Sequence, residues 1–514
     1  MIGIVASRAD RASTHVAERL LELADWTERT DADRDDADGG GTHHVLDRAG
    51  ERLELRSFDG LHIRLDDPAP AFSERPDVLV FVSRHSGDTG PLLTCHFTGN
   101  FGDAEYGGAD GSFAPACPGV QRALVAGFDE HAPEGYGVAV EGTHHGPTEL
   151  SVPGVFAELG SGDEQWDDPA GAAAVARSVL ELPDRDATVA VGDPDRPRHL
   201  VGFGGGHYAP RFERVIRETA WGVGHVGMDW QLEELGHPAE HADVLEAAIR
   251  ASDAEFALVE GEYPALRDAL AARDVRVVSE TWVRAVDDRP LSLVAALSTD
   301  LAPVEDGLRF GDRAAAVPGD TPPADGYRVV DLPAELLAAA QGVDADAARA
   351  AVERRAVAFE TEQAGSRPAG RAALPTDDVT TSGDGTAGGD ATTADADSAD
   401  GDTTAADTGT DVAAVDTDAA DADADAADGD GPAPYDALVA DLAAVLRESY
   451  DEVVREGDAV VARVESFDPS LAATLGVPEG PKFGALSSGE PVEVRGETIR
   501  PETVSSEREE QFPV

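Results

Sequence analysis

Three observations predict an α/β fold with a largely parallel or mixed sheet flanked by helices. Short runs rich in Val, Ile, Leu and Phe recur along the first 290 residues, separated by segments with helical spacing. Three of these runs end in histidine-bearing loops. Residues 78–82 lead into Ser83-Arg84-His85-Ser86-Gly87, and residues 136–140 into Glu141-Gly142-Thr143-His144-His145-Gly146-Pro147-Thr148. Residues 199–203 lead into Gly204-Gly205-Gly206-His207-Tyr208-Ala209-Pro210-Arg211-Phe212. Ligands bind beyond the carboxyl ends of strands in open α/β sheets, so three such ends predict one convergent site.

In chain order, residues 2–6 read as a strand, followed by a helix through Val16, Leu20, Leu21 and Leu23. Residues 27–44 contain Asp33-Arg34-Asp35-Asp36-Ala37-Asp38 and three glycines, and read as an acidic loop insertion. Strands are expected at 45–55, 61–65, 78–82 and 92–97. Asp168 and Pro169 supply helix-start signals for a stripe through Val175, Val179 and Leu182. Strands at 188–191 and 199–203, helices near 212–220 and 244–251, and a strand at 256–259 continue the alternation.

Residues 1–290 read as the catalytic unit and 291–365 as an accessory segment. The stretch 366–434 reads as a disordered acidic linker: no Lys or Arg lies between Arg371 and Arg447, and the apolar mass is too small to offset the entropy of ordering. A small C-terminal α+β region follows at 435–514, with a helix through Leu438, Leu442, Val445 and Leu446 and strands near 460–464 and 492–494. Deleting residues 376–431 is expected to leave catalysis nearly intact, because that composition builds neither a core nor a site. A folded deletion variant without turnover would contradict this.

The formal net charge is −61 over 514 residues, and Lys482 is the only lysine. This composition matches proteins of extreme halophiles, whose carboxylate surfaces are screened by salt; the Debye length at 1 M is about 3 Å. The charge therefore reports on solvent more than on partners. Two cysteines exclude a disulfide framework and paired-thiolate zinc spacing. No stretch approaches a membrane span and the opening residues carry no export signal, so a cytoplasmic, soluble chain is expected, a monomer with no obligate protein partner and no membrane.

His85, His96, His144, His145 and His207 all lie at or just beyond strand ends, which favours catalysis or metal binding over five unrelated structural histidines. Gly204, Gly205 and Gly206 allow backbone approach to a ligand, and Arg84 and Arg211 are anion partners. Asp229, Trp230, Glu233 and Glu234 read as a solvated helical face, and Cys95 as a small buried strand residue.

Five segments together resemble the archaeal and plant-type D-aminoacyl-tRNA deacylase family. They are Ser83-Arg84-His85-Ser86, residues 93–101 (LTCHFTGNF), residues 141–148 (EGTHHGPT), residues 156–161 (FAELGS) and residues 204–212 (GGGHYAPRF). The resemblance covers roughly residues 1–290. It implies a fold related to nucleoside phosphorylases and peptidyl-tRNA hydrolases, hydrolysis of the ester between a D-amino acid and the terminal ribose of tRNA, and zinc as cofactor. Catalysis is then expected from His144, His145, His207 and His85. Metal ligands are expected among His85, His96, Glu141, His144, His145 and His207. Substrate contacts fall to Arg84, Thr148, Tyr208, Arg211 and the three glycines, whose N–H groups are oxyanion donors. A zinc ion lowers the pKa of a water it holds to about 7; a metal-free variant needs one histidine as general base. Two rivals remain from the sequence: a phosphorylase-like or small-ester hydrolase, and a non-catalytic tRNA-binding protein.

Overall fold

The computed structural model describes residues 1–183, 185–189, 196–317, 326–376 and 433–514. The expected linker from 377 to 432, and residues 190 and 191 of the expected strand 188–191, lie outside the described residues. The chain divides into two units, Met1–Leu308 and Arg309–Val514. Among the described residues no helix is long and apolar enough to cross a membrane.

The first unit opens with β1 (Ile2–Ser7) and α1 (Arg11–Leu23), then β2 (Thr27–Asp31), β3 (Gly41–Arg48), β4 (Glu51–Phe58), β5 (Val78–Arg84) and β6 (Leu92–His96). Next come α2 (Pro118–His131), β7 (Gly137–Val140), β8 (Gly154–Gly160), α3 (Asp163–Trp166) and α4 (Pro169–Leu180). The alternation continues with β9 (His199–Phe203), α5 (Pro210–Glu218), β10 (Gly222–Gly227), α6 (Asp229–Leu235) and α7 (Ala242–Ala251). It closes with β11 (Phe256–Val259), α8 (Pro264–Ala271), β12 (Arg276–Val278), α9 (Glu280–Ala285) and α10 (Leu291–Asp300).

Two sheets result. The larger is mixed, in the order β2-β3-β4-β1-β5-β8-β6-β7; the smaller, β10-β9-β11-β12, is parallel throughout. Within the larger sheet β4, β1, β5 and β8 run parallel, whereas β6 is antiparallel to β8 and parallel to β7. The histidine-bearing ends of β5 and β7 therefore point to opposite ends of one sheet, and that of β9 belongs to another. A shared parallel edge is not what gathers them.

Local chemistry explains several boundaries. Asp10 caps α1, its carboxylate accepting from Ser13 N at 3.2 Å, and Asp168 caps α4 by accepting from Ala170 N at 2.9 Å. The expected acidic loop at 27–44 is corrected: β2 and β3 form an antiparallel hairpin on the sheet edge, with Thr27 opposite Val45. The expected strand 45–55 breaks in two at Ala49 and Gly50, whose φ values of 51° and 84° make a tight hairpin turn. The expected strand 61–65 is a short 3-10 turn, His62–Arg64, which buries His62. Helix α2 and strands β8 and β10 were not expected; β10 reads Gly-Val-Gly-His-Val-Gly, too glycine-rich for an apolar-run criterion.

In the second unit a four-stranded antiparallel sheet runs Arg309–Phe310, Ala358–Glu362, Arg367–Pro375, Tyr327–Asp331. Arg367–Pro375 corrects the start of the expected linker: Ala372, Ala373 and Leu374 are fully buried between two paired strands, so order extends past residue 366. Helices Ala334–Val343, Ala345–Arg355 and Pro434–Leu446 pack into one core, and the expected stripe of Leu438, Leu442, Val445 and Leu446 is buried in it. A three-stranded antiparallel sheet, Glu452–Glu456, Ala459–Phe467 and Ser505–Pro513, completes the unit beside a smaller apolar cluster around Val477, Leu486 and Val504. The expected accessory segment 291–365 straddles the division, with α10 in the first unit.

Candidate active site

The site is built across a sheet face from the middle of β8. Residues 156, 158 and 160 of a strand share one face. In register, Ser83 and Thr94 flank Glu158, and His96 pairs with Phe156. His85 follows Arg84, the partner of Leu159, so it lies beside Gly160, where an added Cβ would meet the His85 Cβ at 2.6 Å. Glu158 thus sits midway between two histidines that arrive from opposite strand directions. Its carboxylate lies 3.7 Å from His85 Nδ1 and 3.7 Å from His96 Nε2.

The loop 141–148 crosses above this face and is stitched to both sheets. Glu141 N–H donates to Cys95 O at 3.1 Å, Thr143 N–H to Val226 O at 2.9 Å, and Gly142 N–H to His207 O at 2.9 Å. His145 has φ 47°, so the chain turns between His144 and His145, and both rings reach His96, with centroids 4.1 and 4.9 Å away. Successive strand residues would have faced opposite sides.

Glu141, whose side chain is wholly buried, is the electrostatic centre. His207 Nε2–H donates to it at 2.7 Å, His85 Nδ1 lies 3.3 Å away and His144 Nε2 3.9 Å. Burial opposes its charge, but the hydrogen bonds from His207 and His85 hold its carboxyl well below the usual range. Burial also works against a charged His85, yet the Glu141 hydrogen bond and the two nearby carboxylates keep its imidazole above the usual range. Glu158 is pushed up by burial, assisted by the Glu141 charge. Burial and the charge of His96 hold His144 down to about 3, and His145 is likewise lowered, so both rings are neutral.

Three imidazoles share one further feature. The Nδ1–H groups of His96, His144 and His145 donate to the carbonyls of Phe97, Gly142 and Gly146 at 3.1, 2.9 and 2.7 Å. That choice of tautomer leaves the Nε2 of neutral His144 and His145 with a free lone pair; burial works against a charged His96, yet the Glu158 carboxylate facing its Nε2 holds it above the usual range, and a nitrogen from each ring lies within 4.8 Å of the others. His96 Nε2 is buried with no hydrogen-bond partner. Two overlapping sets, Glu141 with His144 and His207, and His85 with Glu141 and Glu158, meet the same distance.

The cavity over the cluster has a volume of about 370 Å³ and is lined by His85, Glu141, His144, His145, Glu158 and His207, with Asp10, His62, Ser83, Arg84 and Tyr106 further out. Five of the six expected metal-ligand candidates thus line the cavity, and the sixth, His96, is buried with its ring 4.1 and 4.9 Å from those of His144 and His145. Arg84 lines the same cavity, its guanidinium 5.4 Å from the Trp166 ring, and the Tyr208 hydroxyl lies 3.2 Å from His85 Nε2.

Other expected site residues do different work. Gly204 N–H donates to Gly227 O at 2.7 Å and Gly205 N–H to Asp229 Oδ1 at 2.7 Å, so neither is an oxyanion donor; Gly206 O accepts from Ala209 N and closes the turn into α5. Arg211 lies 3.4 Å from Glu280 of α9 and does not line the cavity. Thr148 is buried and accepts from Ala109 N at 2.9 Å, anchoring the loop that follows β6. Cys95 is wholly buried, as expected. Sequence reasoning missed Glu158, whose signal is one carboxylate inside the apolar run Val155-Phe156-Ala157-Glu158-Leu159. It also missed Asp10 and Trp166; Asp229, Trp230, Glu233 and Glu234 are exposed, as expected of a solvated face, and Trp230 additionally lines a cavity with His144, His145 and His207.

The family model described as D-aminoacyl-tRNA deacylase matches residues 72–278, which include all five resembling segments. The D-aminoacyl-tRNA deacylase of Halorubrum lacusprofundi is 50% identical, with 100% of this chain and 97% of that protein covered. The chain belongs to the D-aminoacyl-tRNA deacylase family. A second member, from Natronomonas pharaonis, is 45% identical over 100% of both chains. A crystal structure of AF0625, a conserved protein of unknown function, is 28% identical with a TM-score of 0.46, covering 54% of this chain and 95% of that one. The match to family members runs through both units, so the second unit belongs to the family architecture in these relatives and is not an appendage peculiar to this chain.

Proposed function

We propose that the protein hydrolyses the ester bond of D-aminoacyl-tRNA, releasing the free D-amino acid and tRNA, in the concentrated salt its acidic surface suits. The observation that carries this reading is the convergence of His85, His96, Glu141, His144, His145, Glu158 and His207 under one cavity, in a chain whose full-length relatives are deacylases.

The residues present fit a zinc ion. An all-imidazole set with His144 and His145 neutral, each Nδ1–H committed to a carbonyl and one buried, unpartnered nitrogen on His96 is donor chemistry suited to zinc. His96, His144 and His145 would hold it, and when bound it would supply Lewis acidity and acidify a water. The remaining groups position and move protons. Glu141 accepts the Nε2–H of His207, which leaves the His207 Nδ1 lone pair to take a proton from the attacking water. The carboxylate orients that imidazole and stabilises its cation as the water oxygen bonds to the ester carbonyl carbon. The same proton is then delivered to the ribose oxygen as the carbon–oxygen bond breaks, so water and ester leave as acid and alcohol. His85, set between Glu141 and Glu158, offers its Tyr208-facing edge to the polar side of the substrate.

Deacylation of D-Tyr-tRNA and L-Tyr-tRNA in molar potassium chloride, with and without a chelator, tests the proposal. The D-ester is expected to be hydrolysed and the L-ester largely spared, with chelation abolishing turnover and zinc restoring it. Equal rates on both enantiomers, or bound tRNA that keeps its amino acid, would overturn the reaction. Full activity after exhaustive chelation would overturn the zinc.

A further inference from the structure

We propose that Tyr106 and Trp230 form the platform on which the unpaired 3′ end of tRNA stacks while its ester lies at the histidine cluster. This rests on the deacylation proposed above and deepens it by naming what holds the nucleic acid.

Among the described residues, the exposed large hydrophobic side chains are Leu23, Tyr106, Trp230, Val329, Leu471 and Leu475, so only two are aromatic. Tyr106 is 66% and Trp230 51% exposed. Both line a second cavity, of about 190 Å³, whose wall includes His144, His145 and His207; Tyr106 also lines the cavity over Glu141. The ester that is cleaved is attached to the terminal ribose, so the terminal bases must lie beside the cluster, where these rings stand.

The backbone that carries the two rings is tied to the loop 141–148. Gly146 N–H donates to Tyr106 O at 3.4 Å, and Asn100 Nδ2 donates to Gly107 O and Ala109 O at 3.0 and 3.2 Å. Gln231, next to Trp230, donates to Thr143 O at 2.8 Å, and Asp229 on its other side accepts from Tyr263 Oη at 2.6 Å. Backbone anchored before binding has less freedom to lose when the rings stack. The amides of Asn100 and Gln231 are already committed, which leaves few groups to read base edges and favours contact through π-faces.

Charge points the same way. Asp103, Glu105 and Glu234 surround the two rings, and Arg84 is the one guanidinium lining either cavity. Phosphates are not drawn to such a wall, whereas stacking is indifferent to it and to salt.

The test is a binding cycle with the full chain in molar potassium chloride, using uncharged tRNA and the same tRNA trimmed of its unpaired 3′ nucleotides. Tyr106→Ala and Trp230→Ala are each expected to weaken binding of intact tRNA about tenfold. Trimming should cost the wild type as much as the double variant loses, and cost the double variant nothing more. Tyr106→Phe and Trp230→Phe should bind within about threefold of wild type, because the π-face survives. Both alanine variants are expected to fold, since each ring is more than half exposed. A double variant that still discriminates intact from trimmed tRNA, or a wild type indifferent to trimming, would overturn the platform. Failure of the wild type to cleave D-Tyr-tRNA while the cycle holds would remove the proposed reaction and keep the platform.

Discussion

His144→Ala is expected to lower turnover of D-Tyr-tRNA by about a hundredfold or more, with the chain still folded. The ring is locked by its bond to Gly142 O and packed against His96, His145 and His207, with centroids at 4.1, 4.4 and 5.2 Å. It is neutral, so its removal leaves no buried charge behind, and the wall it lines faces a cavity, so the gap can take up solvent. Function should fall much further than stability. His145→Ala should behave alike, and in both variants zinc content by elemental analysis should drop along with turnover. Rates within about threefold of wild type for both variants would show the two histidines to be packing residues.

Glu141→Ala is expected to damage both activity and the fold. Glu141 accepts from His207 and lies 3.3 Å from His85 Nδ1, and its removal leaves Glu158 as the buried carboxylate beside His85 among the described residues. Deleting one partner of a buried ion pair costs roughly 3–5 kcal/mol. A lower urea midpoint at constant salt is therefore expected, together with a turnover loss beyond a hundredfold, because His207 loses the group that sets its tautomer. Glu141→Gln should recover part of the stability, since its amide oxygen still accepts one bond, but little of the activity, since its amide hydrogens oppose a histidine donor. An alanine variant within about 1 kcal/mol of wild type would contradict the central role of this carboxylate.

The second unit marks the limit of what local chemistry reveals. It carries none of the five resembling segments, yet the alignments to relatives 45–50% identical over the whole chain run through it. Its strand Arg367–Pro375 was obscured because the acidic composition beginning just beyond it was read back into an Ala-rich segment that pairing buries.

The candidate site residues were legible from the chain alone. Histidines placed directly after apolar runs stand where a strand stops and a side chain is released, and the six metal-ligand candidates come together, five of them lining one cavity and His96 packed against His144 and His145. The helix start at Asp168 depends on neighbours a few residues away, which is why such a signal survives in one dimension. What the tertiary structure alone decided depends on distant partners. Pairing sets strand direction, so β6 and β7 run against β5 and β8 and the site spans a sheet face instead of one edge. Glu158 became a site residue because register places it between His85 and His96. The N–H groups of Gly204 and Gly205 are taken by Gly227 O and Asp229 Oδ1, and Arg211 stands 3.4 Å from Glu280, outside the residues that line the cavity. A sequence shows which groups can donate and accept; only the folded chain shows which of them are still free.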